Sequence, residues 1–404
     1  MHAPSRPSPR TLARRRLFGL AAAGAASGCA LPDREPSVPA GSTPQATVLG
    51  LPNERFFPIH GVGALEAEFV AAQERRRRAL GLAPGAKLPE LQLLSISGGG
   101  EDGAFGAGLL CGWSEAGTRP EFELVTGVST GALTAPFAFL GPAYDAQLRQ
   151  VYTGLTPDNV LRRRGLIHAV FDDALSDNAP LFDVISRFVD TTMQARIAQA
   201  YAEGRMLLIA STNIDAMEAV IWNIGAIAAS SHPKALDTIR RVMLASAAIP
   251  GAFPPTMFNV TLDGKPYQEM HVDGGTFAQA FLYPPAMLAQ RRQRLANGQP
   301  VPAAVAYVIR NARMDPEWSQ IERRTLSIAG RAISIMIAAS GYNDVRRIYL
   351  TTLRDGIEYK LAYIGADFAM RSPQPFDPGY MKALFEYGFV RAQGGVEWAA
   401  QPPA

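Results

Sequence analysis

Leu91-Gln92-Leu93-Leu94-Ser95-Ile96-Ser97-Gly98-Gly99-Gly100-Glu101-Asp102-Gly103 is the stretch on which the fold turns. Its apolar run ends in three consecutive glycines, and a helical apolar pattern follows from Ala104 to Ser114. A short apolar run closed by glycines reads as a buried strand feeding a tight turn. Glu121–Gly127 and Thr130–Leu140 then repeat the order strand, turn, helix. Such units in succession predict an α/β protein with a mainly parallel central sheet.

Outward from that core, Met206–Thr212 and Ala219–Asn223 read as paired strands, Leu236–Ala248 as a helix, and Met270–Val272 and Ala304–Ile309 as strands. Tyr144–Glu203 reads as mostly helical. Beyond Asp315 the pattern predicts two or three helices, with strands near Asp344–Leu353 and Gly356–Ile364. Ser327–Ser340, interrupted by Arg331, reads as a core helix. Ala64–Leu80 reads as a helix whose Arg75–Arg78 end suits the helix dipole. Those arginines are expected in solvent, with anionic lipid heads as the alternative contact. No linker interrupts residues 85–400, which predicts one catalytic-type domain.

The chain has 404 residues, 48% of them apolar and 19% charged, which suits a folded protein and excludes disorder. Its formal charge is +3, but Arg6, Arg10, Arg14, Arg15 and Arg16 precede the first acidic residue. Without residues 1–28 the balance is 34 bases against 36 acids, or −2. The basic surplus therefore belongs to the leader. Nucleic-acid binding is not expected, because Arg75–Arg78 and Arg162–Arg164 lack interleaved aromatics.

Residues 1–28 have the layout of an export signal: an Arg-rich start, then an apolar run from Leu17 to Gly28. That run is too short to span about 30 Å of hydrocarbon. Arg15-Arg16-x-Phe18 resembles a twin-arginine signal, and Ala26-Ser27-Gly28-Cys29 resembles a lipobox with Ala in place of the usual Leu. Cys29 is thus the candidate lipidation site, and the expected location is the cell envelope, anchored to a membrane and preferably the outer one. Residues 29–60, rich in proline to Pro52, read as a tether. Cys111, the second cysteine of two, reads as a buried small hydrophobe, so no disulfide is expected.

Three segments carry chemistry. Gly127-Val128-Ser129-Thr130-Gly131 is a G-x-S-x-G between a predicted strand and helix. A nucleophilic serine needs such a sharp turn to lift its hydroxyl clear of the sheet. Gly98-x-Gly100-x-x-Gly103 also fits a dinucleotide-binding loop, but Glu101 and Asp102 would repel a pyrophosphate. The competing role is an oxyanion hole, in which the amides of Gly98, Gly99 and Gly100 converge; one such donor is worth about 3 kcal/mol. Asp273-Gly274-Gly275 supplies an acid after a strand. The histidines are His2, His60, His168, His232 and His271. His271 and His232 remain alternative bases; His60, His168 and His232 look like surface or satisfied core residues.

These motifs, in this order, resemble the patatin-like phospholipase family. The segment from Ala245 to Pro255 is also similar to one that this family carries before its Asp-Gly motif. The resemblance implies a three-layer α/β/α sandwich and lipid acyl hydrolysis by a Ser–Asp dyad, without metal or other cofactor. Carried over, Ser129 is the nucleophile and Asp273 the base. Gly98, Gly99 and Gly100 hold the oxyanion, and Gly103, Gly127, Gly131, Gly274 and Gly275 shape the turns. Many members have a basic residue where this chain has Asp102, which bears on charged headgroups more than on ester chemistry. The hydrolase domain is expected over residues 61–404, with a motif core at 90–290 and an extension at 291–404. The expected partners are a lipid or ester substrate and a membrane; the sequence specifies no oligomer. Two other readings stay open: a catalytically silent envelope lipoprotein that binds lipid or scaffolds a complex, and a His-dependent serine esterase.

Overall fold

The computed structural model describes residues 34–154, 162–163 and 176–403. The expected leader, Cys29 and His168 lie outside the described residues.

Nine strands form one sheet: β1 (Arg55–Phe56), β2 (Leu91–Ile96), β3 (Leu124–Val128), β4 (Met206–Asn213), β5 (Glu218–Asn223), β6 (Thr256–Leu262), β7 (Lys265–Asp273), β8 (Ala304–Arg313) and β9 (Glu358–Ile364). The main order is β1-β5-β4-β3-β2-β8-β9. The run from β4 to β9 is parallel, while β1, β5, β6 and β7 add antiparallel pairs. The helices are α1 (Gly63–Ala79), α2 (Gly103–Glu115), α3 (Thr130–Leu140), α4 (Asp145–Thr153), α5 (Ala179–Phe188), α6 (Thr191–Ala202), α7 (Ile224–Ala229), α8 (Ala235–Ser246), α9 (Ala289–Ala296), α10 (Thr325–Arg354) and α11 (Pro378–Gln393).

Side chains alternate across a strand, so each strand feeds two cores. Leu94, Ile96, Val125, Leu207 and Ile209 pack with α2, α3, α6, α8 and α11 on one face. Leu93, Leu124, Met206, Leu208 and Val308 pack with α1 and the buried end of α10 on the other. This is the expected three-layer α/β/α arrangement. Glycine lets α2 and α11 touch backbone to backbone: a Cβ on Gly108 would fall 1.9 Å from the Phe385 carbonyl oxygen.

Five expectations need correction. Residues 34–60 are not a free tether. Phe56, Phe57 and Leu49 are buried, β1 pairs with β5, and Thr47 bridges Thr261. The prolines there leave an extended backbone whose apolar side chains still find a core. Residues 256–262 form an unexpected strand, joined to β7 through Asp263-Gly264, both at positive φ as a two-residue hairpin turn requires. Asp344–Leu353 is helical, because it continues α10. Ser327–Ser340 is a helix but not a core one: it lies almost wholly in solvent. The Arg75–Arg78 end of α1 is only partly solvated, since Arg75 pairs with Glu68 and Arg76 with Glu123.

Candidate active site

The sheet brings its two reactive side chains together by register. β5 covers one edge of β4, so β3 and β7 must share the other. β3 pairs with β4 as far as Val128 opposite Ala210. β7 takes over one residue later, with Asp273 opposite Ser211. Ser129 leaves β3 where Asp273 arrives on β7. The Ser129 hydroxyl donates to Asp273 Oδ2 at 2.6 Å, and both residues are buried.

Ser129 is at φ 54°, a left-handed conformation rare for a residue with a side chain. The turn exists because its glycines let helix meet sheet. A Cβ on Gly127 would lie 2.5 Å from the Gly131 carbonyl oxygen, and one on Gly131 would lie 2.2 Å from that of Ile96. The backbone is also pinned: the Ser129 amide donates to Ser246 Oγ at 3.0 Å, and Ser246 donates to the Ala210 carbonyl at 2.6 Å. Ser246 lies within the alanine-rich segment quoted above, but its role was not read from the sequence.

Asp273 is fixed from both sides. The Gly275 amide donates to its Oδ1 at 2.7 Å, and its own amide donates to the Ala248 carbonyl. Gly274 packs against the Ala210 carbonyl and Gly103 against Thr130, where side chains would clash. Burial pushes the Asp273 carboxyl up to about 7, against the lowering pull of the Ser129 and Gly275 hydrogen bonds. Desolvation disfavours the charged form of a carboxyl, and among the described residues no cation pairs with this one.

The glycine loop only partly matches expectation. The Gly98 amide already donates to the Gln279 carbonyl at 2.9 Å, so it is not an oxyanion donor. Gln279 comes from a distant loop that sequence spacing does not place. The amides of Gly99 and Gly100 make no backbone bond among the described residues. Gly100, at φ 58°, lines the same pocket as Ser129. Gly99 must be glycine because a Cβ would fall 2.0 Å from the Asn311 carbonyl oxygen.

Behind this loop stands Arg310, which sequence reasoning missed. It is buried, with Nη1 3.4 Å from the Gly98 carbonyl and from Ser97 Oγ, and burial lowers its guanidinium to about 10. The signal available was a lone Arg directly after the apolar run Ala304–Ile309. Glu101 and Asp102 turn away to hold the segment leading into α11: Glu101 accepts from the Phe376 amide and Asp102 from the Tyr380 hydroxyl at 2.6 Å. Burial raises the Asp102 carboxyl to about 6.

The pocket at Ser129 is apolar, lined by Leu133, Val151, Leu181, Ile249, Phe253, Phe376 and Met381. The histidines lie elsewhere. His271 is fully buried, with Nδ1 2.8 Å from Ser211 Oγ and Nε2 3.1 Å from Glu269. Both ring nitrogens are engaged away from Ser129. His60 meets Glu218 at 2.7 Å, and His232 accepts from the Lys234 amide. Cys111 is buried, and burial raises its thiol to about 12. Among the described residues no His/Cys/Asp/Glu cluster suited to a metal occurs.

Residues 94–286 match the family model described as Patatin-like phospholipase. That span holds Ser129, Asp273 and the glycine loop, and lipid acyl hydrolysis is the activity this domain supports. A search of curated proteins returned no match. Among solved structures, the crystal structure of VipD from Legionella pneumophila is similar at a TM-score of 0.35 and 12% identity, over 76% of this chain and 67% of that one.

Proposed function

We propose that this chain, with its patatin-like phospholipase domain over residues 94–286, cleaves carboxylic esters of lipids through Ser129 and Asp273. The observation that carries the reading is the 2.6 Å hydrogen bond from Ser129 Oγ to a buried Asp273 at the floor of an apolar pocket. An aspartate with a reference pKa of about 3.9 is a weak base for a hydroxyl. A carboxyl raised to about 7 is a better one, half ionised at neutral pH and more so above it.

In the first half of the cycle Asp273 takes the Ser129 proton as the oxygen attacks the ester carbonyl. The tetrahedral oxyanion is met by the Gly99 and Gly100 amides. The C–O bond to the alcohol breaks and Asp273 returns the proton to that oxygen. In the second half water loses a proton to Asp273, attacks the acyl-enzyme and releases the fatty acid, and the proton returns to Ser129. The apolar pocket suits an acyl chain. Cys29 is the proposed lipid attachment point, which would hold the enzyme at an envelope membrane.

A hydrolysis panel of short esters, neutral lipids, phospholipids and lysophospholipids tests the reading. Ser129→Ala and Asp273→Asn should each lower kcat/KM by about 10³-fold or more, and a fluorophosphonate probe should label wild type but not Ser129→Ala. An Asp273→Asn variant as active as wild type would sink the dyad. Incorporation of labelled palmitate, lost in Cys29→Ser, tests the anchor.

A further inference from the structure

The long helix α10 has two unlike halves. From Gly341 onward it is built into the protein: Asp344 accepts the Gln279 amide, and Val345 and Ile348 join the core. Residues 325–340, about 24 Å of helix, are not packed in this way. Leu326, Ile328, Ile333, Ile335, Met336 and Ile337 are each between 42% and 86% exposed. At 3.6 residues per turn they cover an arc of about 200° of the helix surface, and Ser327, Arg331 and Ser334 lie on the remaining side. An apolar face of this width is normally covered, and exposed apolar area of this extent marks an interaction surface. It is not long and apolar enough to cross a membrane.

The exposed half is tied to the candidate site at both ends. At its inner end, Gly341 packs on Arg310, whose Nη1 lies against the Gly98 carbonyl; a Cβ on Gly341 would fall 2.3 Å from Arg310 Nη2. Just before the helix, the Trp318 carbonyl accepts from Arg371, and the segment from Arg371 continues into Phe376, which lines the pocket. Trp318 is itself 76% exposed. The charge of the surface is net positive: from Trp318 to Asn343 there are three arginines, Arg323, Arg324 and Arg331, against one acid, Glu322, which pairs with Arg324 at 3.4 Å.

We propose that Trp318 and the apolar half of α10 dock into an anionic lipid surface and set the mouth of the Ser129 pocket against it. Apolar side chains enter the acyl boundary, arginines meet lipid phosphates, and an indole lies between the two layers. Identification of the surface as lipid rests on the reading of the site as a lipid ester hydrolase.

The test uses the full chain carrying Cys29→Ser, so that no acyl group there contributes. Its probes are vesicles of phosphatidylcholine with and without phosphatidylglycerol. The chain should co-sediment with the anionic vesicles and shift its tryptophan emission to the blue. Trp318 reports this, because Trp113 and Trp222 are buried and Trp398 is half-buried. The double variant Ile333→Asp/Met336→Asp should lose at least about tenfold in vesicle affinity. Its rate on a water-soluble short ester should stay within about twofold of the parent, because both positions are exposed. Unchanged vesicle binding by the double variant would overturn the proposal. So would a dimer of the parent chain that the double variant dissociates while vesicle binding persists, since a second copy would then be the cover. Vesicle binding is read without catalysis. A chain that binds vesicles but cleaves no ester would count against the hydrolase reading and leave the docking intact.

Discussion

Strand β7 carries two buried carboxylates, Glu269 and Asp273, and the protein treats them in opposite ways. Burial alone would raise both. At Glu269 the hydrogen bond from His271 and the charge of Arg55, at 2.5 Å, outweigh burial and hold the carboxyl below its ordinary range. At Asp273 burial wins. Burial lowers the His271 ring further than Glu269 raises it, which favours its neutral form. In that form the tautomer with Nε2–H toward Glu269 leaves Nδ1 to accept from Ser211, which itself accepts from Trp222. One end of the strand is therefore a charge-paired structural network, while the other holds a carboxyl with a serine and one amide for company. A partner cation holds a buried carboxylate ionised; withholding it leaves the raised carboxyl that the proposed mechanism uses as a base.

The largest test of that contrast is stability. Glu269→Gln removes the charge that Arg55 needs and should cost about 3–5 kcal/mol in urea unfolding. Asp273→Asn removes the costly charge, keeps an oxygen for the Gly275 amide and turns an NH2 donor toward Ser129 Oγ, and should gain about 1–4 kcal/mol near pH 8. Shifts of the same sign in the two variants would break the contrast. A smaller effect is the pH dependence. Because the folded Asp273 carboxyl is raised above its unfolded value, its contribution favours the native state at low pH and is lost as pH rises from about 4 to about 7. That slope should be missing from Asp273→Asn. Ester hydrolysis by wild type should run the other way, rising about tenfold per pH unit below about 7 and levelling above it. The smallest effect sharpens the reactive end alone. Ser246→Ala strands the Ser129 amide and the Ala210 carbonyl, and should cost about 1–3 kcal/mol with a measurable drop in kcat.

What was legible in the sequence was local. The strand–glycine–helix units, the Ser129 turn and the Asp273 motif are short segments whose residues dictate their own backbone. The hairpin of β6 is equally local, written in Asp263-Gly264 and the alternating strand before it. What stayed hidden came from distant chain. The Gly98 amide is consumed by Gln279, and Arg310 reaches the loop from β8. Ser327–Ser340 misled for a different reason: apolar composition says that a helix needs a cover, and composition cannot say whether that cover is the protein itself. Val345, Ile348, Tyr349 and Thr351 favour a strand by residue type, but the helix running in from Thr325 carries them along.

The hand-over of the β4 edge from β3 to β7 has a consequence in time. Ser129 leaves the ribosome 144 residues ahead of Asp273. The two meet only after the β6–β7 hairpin has docked beside β4, a long-range pairing that is slow to form. Under the proposed mechanism the serine lacks its proton acceptor until then, so a nascent or unfolded chain would cleave no ester, and the final antiparallel strand would act as the safety catch.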